Sequence, residues 1–263
     1  MRTYGSAGPW VILLHGGPGA PGHMAPVARG LADAFRVLEP FQRGSGGEPL
    51  TVARHVADLH ELIQERCEGT RPAIVGSSWG AMLALEYAAA HPDAATPLVL
   101  IGCGTFDLAS RARMQEILAT RMTDDMRQRM EQLASKTADA NEAFQAVGNF
   151  LLPVYSYEPA TTDLELEACD VQAYEESWSD MLRLQQEGVY PAAFSVIHGP
   201  VLMMHGAADP HPGQMILASL LPFLSQLVYL EWEKCGHYPW IETHVRDEFF
   251  TVLRQWLTAN LAR

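Results

Sequence analysis

No apolar run in this 263-residue sequence approaches the roughly 20 residues that a membrane-spanning helix needs. The first such run, residues 10–14, is also too short for the apolar heart of a secretory signal, and no small-residue cleavage site follows it. The expectation is a cytoplasmic chain without a membrane partner. Cysteine is scarce: Cys67, Cys103, Cys169 and Cys235 lie far apart with no C-x-x-C pair, so reduced thiols are expected rather than a disulfide framework. Positive charge is short as well. Only 18 Lys or Arg stand against 31 Asp or Glu, and a net charge of −13 excludes a nucleic-acid partner, which would require a basic face. Internal repeats and biased tracts are missing. What is left, 48% hydrophobic and 19% charged residues, suits one large globular unit or one unit carrying an insertion.

Two kinds of segment alternate over the first hundred residues. Residues 10–14 form a continuous apolar run, the mark of a strand buried on both faces. Residues 35–38 give a weaker strand, 73–75 a third ending at Gly76, and 97–101 a fourth. Between them, 24–34 reads as a helix with Pro26 in its first turn. Val56, Leu59, Leu62 and Ile63 mark one face of a second helix, and the Ala-rich stretch 79–90 is a third. This β-α-β-α-β order implies a parallel sheet covered by helices on both faces.

The alternation stops at about residue 106 and resumes near 196. In between, the pattern predicts helices over 108–122, 125–134, 141–152 and 171–186 and no buried strand. Strands return at 201–204 and 227–230. A last amphipathic helix carries Val245, Phe249, Leu253, Trp256 and Leu257. The expected fold class is therefore α/β, a mostly parallel, doubly wound sheet (residues 1–103 and 199–263) interrupted by a helical block (104–198). Such insertions tend to lie over the strand ends where ligands bind.

Gly76-Ser77-Ser78-Trp79-Gly80 fits G-x-S-x-G between a buried strand and a helix. So tight a turn needs small neighbours and presents the serine hydroxyl at a helix N-terminus. A serine hydroxyl is a poor nucleophile until a base takes its proton and a carboxylate orients that base. Asp209 follows the strand at 201–204 and His237 follows the strand at 227–230, giving the order Ser, Asp, His. Asp107 also follows a strand and is the second candidate for the acid. His15-Gly16-Gly17-Pro18-Gly19 follows the first strand. The developing oxyanion of acyl transfer needs preorganised donors, assigned here to the backbone N–H groups of Trp79 and Gly17. A phosphate-cradling reading of these glycines fails for want of G-x-x-x-x-G-K-[ST]. Of the ten histidines, His55, His60 and His91 are expected to be surface or structural. His205 and His211 flank the acid loop, but no accompanying pattern supports a metal, and no cofactor is expected.

Together His15-Gly16-Gly17-Pro18-Gly19, Gln42-Arg43-Gly44-Ser45-Gly46 and Gly76-Ser77-Ser78-Trp79-Gly80 resemble the proline iminopeptidase (prolyl aminopeptidase) branch of the α/β-hydrolases. The resemblance covers the first hundred residues and the acid and histidine loops, and is faint across the helical block. It implies an α/β-hydrolase fold with a helical cap, a Ser78-Asp209-His237 triad, and cap carboxylates that hold the α-ammonium of a short peptide. The sequence departs from the pattern at Phe41, where the family usually has Asp, and at Ala81, where a second glycine is common.

Between residues 104 and 198 sixteen acids face seven bases, −9 of the chain's −13. Such a field favours a cationic substrate, with Glu167, Glu175 and Glu176 as candidate ligands, although solvated helix faces would give the same count. The leading expectation is an aminopeptidase on short peptides or aminoacyl amides. Hydrolysis of small esters or lactones by the same machinery is the alternative, and a catalytically dead ligand receptor is a third reading from another class. A receptor would have lost a triad or oxyanion residue, and the sequence keeps all of them. Nothing in it sets an oligomeric state.

Overall fold

The computed structural model describes residues 1–67, 69–94 and 96–261. Its strands are β1 (Arg2–Tyr4), β2 (Trp10–Leu14), β3 (Arg36–Glu39), β4 (Ala73–Ser77), β5 (Leu98–Ile101), β6 (Val201–Gly206) and β7 (Leu227–Trp232). They form one sheet in the order β1-β3-β2-β4-β5-β6-β7. Every neighbouring pair is parallel except β1 with β3. The helices are α1 (Ala25–Leu31), α2 (Val52–Arg66), α3 (Trp79–Ala90), α4 (Leu108–Arg121), α5 (Asp124–Lys136), α6 (Ala140–Tyr155), α7 (Val171–Gln186), α8 (Gly213–Leu220) and α9 (Arg246–Leu261). Among the described residues no helix is long and apolar enough to cross a membrane.

The continuous apolar runs are explained by the two-residue period of a strand covered on both faces. Ile12, Leu14, Ile74, Leu98, Leu100 and Met203 point into one core with α2, α3 and α8. Val11, Leu13, Val75, Val99, Ile101, Leu202 and Met204 point into the other with α1 and α9. Because α3 packs under the sheet centre it is buried almost all round, from Trp79 to Ala88. The strands expected from sequence are all present within one or two residues. Two elements are additional. β1 is a short, partly exposed Arg-Thr-Tyr segment whose only sheet partner among the described residues is β3, and α8 follows Pro212 in an apolar stretch too short to show a period.

Helices α4 to α7 lie in sequence between β5 and β6, where the sheet passes directly from one strand to the next. Their expected spans hold, and α7 coincides with 171–186. Acidic side chains fasten this block to the core. Asp170 caps α7 through the Ala173 N–H and accepts the Ser45 N–H at 2.7 Å. Glu176 accepts the Leu50 N–H and Asp180 the Val52 N–H, each at 2.8 Å. A buried 2.7 Å hydrogen bond between His55 and Ser177 joins α2 to α7, so His55 is structural, as expected. The cysteines are all buried.

A buried carboxyl group sits at this junction. Glu86 on α3 is 9% exposed, and its Oε1 has no partner. Burial pushes its pKa up to about 8, aided by the charge of Asp180 and offset by a hydrogen bond with Tyr190. The folded state thus prefers the neutral acid, and stability is lost as pH rises from the unfolded value of about 4.5 towards 8. Urea unfolding should show Glu86→Gln gaining on the wild type between pH 5 and pH 8, by on the order of a few kcal/mol at the upper end. A difference that is flat with pH contradicts this.

Candidate active site

Ser78 stands between β4 and α3 with φ 53° and ψ −115°. Only one other described non-glycine residue, Glu165, has positive φ. Such a backbone is strained for a residue with a Cβ and persists only where the surroundings impose it. The surroundings are crowded main chain. A Cβ on Gly76 would lie 2.1 Å from the Gly80 carbonyl oxygen, and one on Gly80 would lie 2.2 Å from that of Leu14. The turn is held by the Ser78 N–H, which donates to Ile101 O at 2.8 Å. The Ser78 side chain occupies the N-cap position of α3 without making a capping bond, so Oγ is left available, and the residue is partly exposed.

The carboxylate of Asp209 lies wholly inside the protein. His237 Nδ1–H donates to its Oδ2 at 2.6 Å. Oδ1 accepts two donors from His211, the backbone N–H and Nδ1–H, each at 2.9 Å. His205 Nε2 donates to the His211 carbonyl at 2.9 Å and lies 3.4 Å from Oδ2. Burial alone would raise the Asp209 carboxyl, but the charges of His237, His211 and His205 hold it well below the usual carboxylate range. For His237 burial lowers the pKa and Asp209 offsets that only in part. The second acid candidate, Asp107, is engaged elsewhere: it caps α4, accepting the Ser110 N–H at 2.8 Å and Ser110 Oγ–H at 2.7 Å. Candidate ligand atoms of Asp209, His211 and His237 lie within 4.8 Å of one another. Their closest contacts, 2.6 and 2.9 Å, have the lengths of hydrogen bonds.

The glycine-rich loop after β2 is oriented by two neutral histidines. His15 Nδ1–H donates to Gly16 O at 3.1 Å while Nε2 accepts the Gln42 N–H at 3.1 Å, which sets its tautomer. His23 Nε2 accepts the Gly16 N–H at 3.1 Å. Burial, the largest effect on each, lowers His15 to about 4 and His23 to about 3, so neither carries charge near neutral pH. Gln42 closes the arrangement. It donates to His15 O at 3.0 Å and accepts the Trp79 indole N–H at 2.7 Å, tying the loop of Gly17 to the residue after Ser78. Gly16, Gly17, His23 and Ser78 line a cavity of about 170 Å³, together with Phe144, Leu164, Leu166, Cys169 and Tyr238.

The structure brings Ser78 and Gly17 to one cavity and Asp209 to His237, and it does not bring the three glutamates there. Glu167 pairs with Arg2, Glu176 is bound to Leu50 N–H, and Glu175 is exposed on α7. Of the nine acids between 158 and 187, eight hold an arginine, a histidine or a backbone N–H. Two residues support the site in ways the sequence did not suggest. Besides the doubly bonded His211 there is Glu242, fully buried, whose carboxylate accepts the N–H groups of Gly236, Tyr157 and Glu158 at 2.7–2.8 Å. It joins the histidine loop to the end of α6, where Tyr155 O accepts the His237 N–H at 2.7 Å.

A model described as "Alpha/beta hydrolase family" matches residues 11–251. Over 101 residues the chain is 40% identical to a proline iminopeptidase of Neisseria gonorrhoeae, a stretch covering 35% of this chain and 32% of that protein. The chain thus spans about a third of the length of the relatives it matches in sequence. Among solved structures, a proline iminopeptidase from Mycobacterium smegmatis superposes with a TM-score of 0.66 at 20% identity, over 99% of this chain and 94% of that one. An esterase from Exiguobacterium antarcticum gives 0.69 at 17% identity, over 98% and 94%. At these identities the structural likeness is one of fold, while the sequence match bears out the resemblance carried by the motifs.

The crowding at the turn generates a direct test. Gly80→Ala places a methyl against Leu14 O, and should cost about 3 kcal/mol or more in urea unfolding. An unchanged midpoint contradicts the packing described.

Proposed function

The chain belongs to the alpha/beta hydrolase family, and from that premise we propose that it hydrolyses acyl compounds with Ser78 as nucleophile, His237 as general base and Asp209 as the orienting acid. The observation that carries the reading is the 2.6 Å bond from His237 Nδ1–H to a buried, ionised Asp209. With Nδ1 committed as donor, Nε2 is the nitrogen that accepts the serine proton. Ser78 Oγ then attacks the substrate carbonyl, and the oxyanion is received by the N–H groups of Gly17 and Trp79. His237 returns the proton to the leaving group, and a water activated by the same imidazole releases the acyl-enzyme. In this reading residues 104–198 are a cap over a core made of 1–103 and 199–263.

For the substrate, the sequence likeness to proline iminopeptidases supports an aminoacyl amide or short peptide. A second reading, a small ester, is favoured by the cavity beside Ser78, whose lining contains no carboxylate to receive an ammonium group. Glu167, Glu175 and Glu176 remain substrate ligands only on the family analogy.

Fluorophosphonate labelling should be strong in the wild type and absent in Ser78→Ala, and Asp209→Asn should lose about 10³- to 10⁴-fold in kcat. Since His237 must be unprotonated to act and its pKa is lowered, kcat/KM should rise with pH through a midpoint below the usual 6.5. A midpoint above 6.5, or labelling that survives Ser78→Ala, overturns the assignment. Aminoacyl p-nitroanilides set against p-nitrophenyl acetate separate the two substrates, and turnover of the ester alone removes the peptidase reading.

A further inference from the structure

Eight of the sixteen arginines in this acidic sequence make ion pairs among the described residues. Arg2, Arg29, Arg43, Arg54, Arg113, Arg127, Arg183 and Arg254 each pair with a carboxylate. Arg111, on α4 and well inside the most acidic third of the sequence, does not. Its only hydrogen bond among the described residues runs from Nη2 to Gln185 Oε1 at 2.9 Å. Its Nε is buried without an acceptor, and burial lowers its pKa, partly offset by Tyr174. Arg111 as a whole is half-buried, but a guanidinium has five donors and stays ionised at neutral pH, so enclosing its Nε without an acceptor or a counter-charge carries a cost.

The surroundings hold this cation in place. Its guanidinium carbon lies 5.2 Å over the Trp178 ring, and the Gln185 that receives Nη2 is itself anchored by a 2.6 Å bond from Nε2 to Thr105 O. Trp178 packs edge-on against Trp79, the residue after Ser78, with ring centroids 6.2 Å apart. Its other neighbour, Tyr174, contacts Phe144 at 4.9 Å, and Phe144 lines the cavity of Ser78. Two chains of aromatic contacts therefore connect Arg111 to the reacting centre, one through Trp79 and one through Phe144.

We propose that Arg111 anchors a carboxylate carried by the substrate, which makes the preferred substrate an anionic acyl compound. Two sources supply this chemistry: the C-terminal carboxylate of a short peptide, or the free acid of a dicarboxylic half-ester. In either, a planar oxyanion takes donors of the guanidinium fork that Gln185 leaves unused. The proposal rests on the serine-hydrolase reading for its catalytic meaning, while the binding it describes can be read without turnover.

Calorimetry on Ser78→Ala provides that reading, with two probe pairs: prolylglycine against prolylglycinamide, and monomethyl glutarate against dimethyl glutarate. The acid of one pair should bind at least tenfold tighter than its neutral partner, and the pair that does so identifies the source. Arg111→Met should collapse that ratio towards one, Arg111→Lys should retain part of it, and Arg113→Met, on the exposed side of the same helix, should keep it whole. In the active enzyme the loss should appear as a tenfold or greater rise in KM for the acid substrate, with a smaller change in kcat. Equal binding of acid and neutral partner in both pairs, or a ratio that survives Arg111→Met, overturns the proposal. Absence of fluorophosphonate labelling in the wild type would instead sink the hydrolase reading and leave the binding result standing.

Discussion

Three backbone segments meet at Ser78 with no room for a side chain between them. The end of β2 lies against the first turn of α3, which lies against the end of β4, and a glycine stands at each close approach. Once the sheet is packed, this crowding leaves the chain no relaxed route from β4 into α3. The strained φ of Ser78 is therefore imposed by the two cores above and below the sheet. A serine placed in this way does not depend on its own side-chain interactions for position, and its oxygen is spared from capping.

Charge at the site is managed by burial in two opposite ways. Around the glycine loop, burial keeps His15 and His23 neutral, so each ring can accept a backbone N–H through one nitrogen. Around Asp209, burial is outweighed, because imidazole donors converge on both carboxylate oxygens. A single ionised acid among several imidazoles fixes the His237 ring and favours its protonated form against the effect of burial. His211 occupies Oδ1, and this keeps Oδ2 directed at His237.

The strands and helices of the sheet could be read because packing on both faces writes an unbroken apolar run into each strand. The helical block could be read from the disappearance of those runs. β1 could not, since three residues with one apolar side chain carry no period. Ser78, Asp209 and His237 stood at strand ends, where position in the chain implies position in space. The roles of Gln42, His211 and Glu242 were hidden because they depend on which backbone N–H groups lie opposite, which sequence spacing does not encode. The partners of the acidic stretch were hidden for the same reason: its carboxylates reach arginines and main-chain donors of a distant loop, and none of them lines the cavity of Ser78.

That arrangement has an evolutionary side. Asp170, Glu176 and Asp180 grip the N–H groups of Ser45, Leu50 and Val52, and every residue except proline offers the same N–H. At Leu50 and Val52 the docking of the helical block is in this respect indifferent to the side chain the core loop carries, while at Ser45 the hydroxyl adds a second bond to Asp170. Substitutions can accumulate in that loop while the attachment persists, provided the three acids stay. Sequence drift should therefore be asymmetric across this junction, faster at Leu50 and Val52 on the core side and slower on α7.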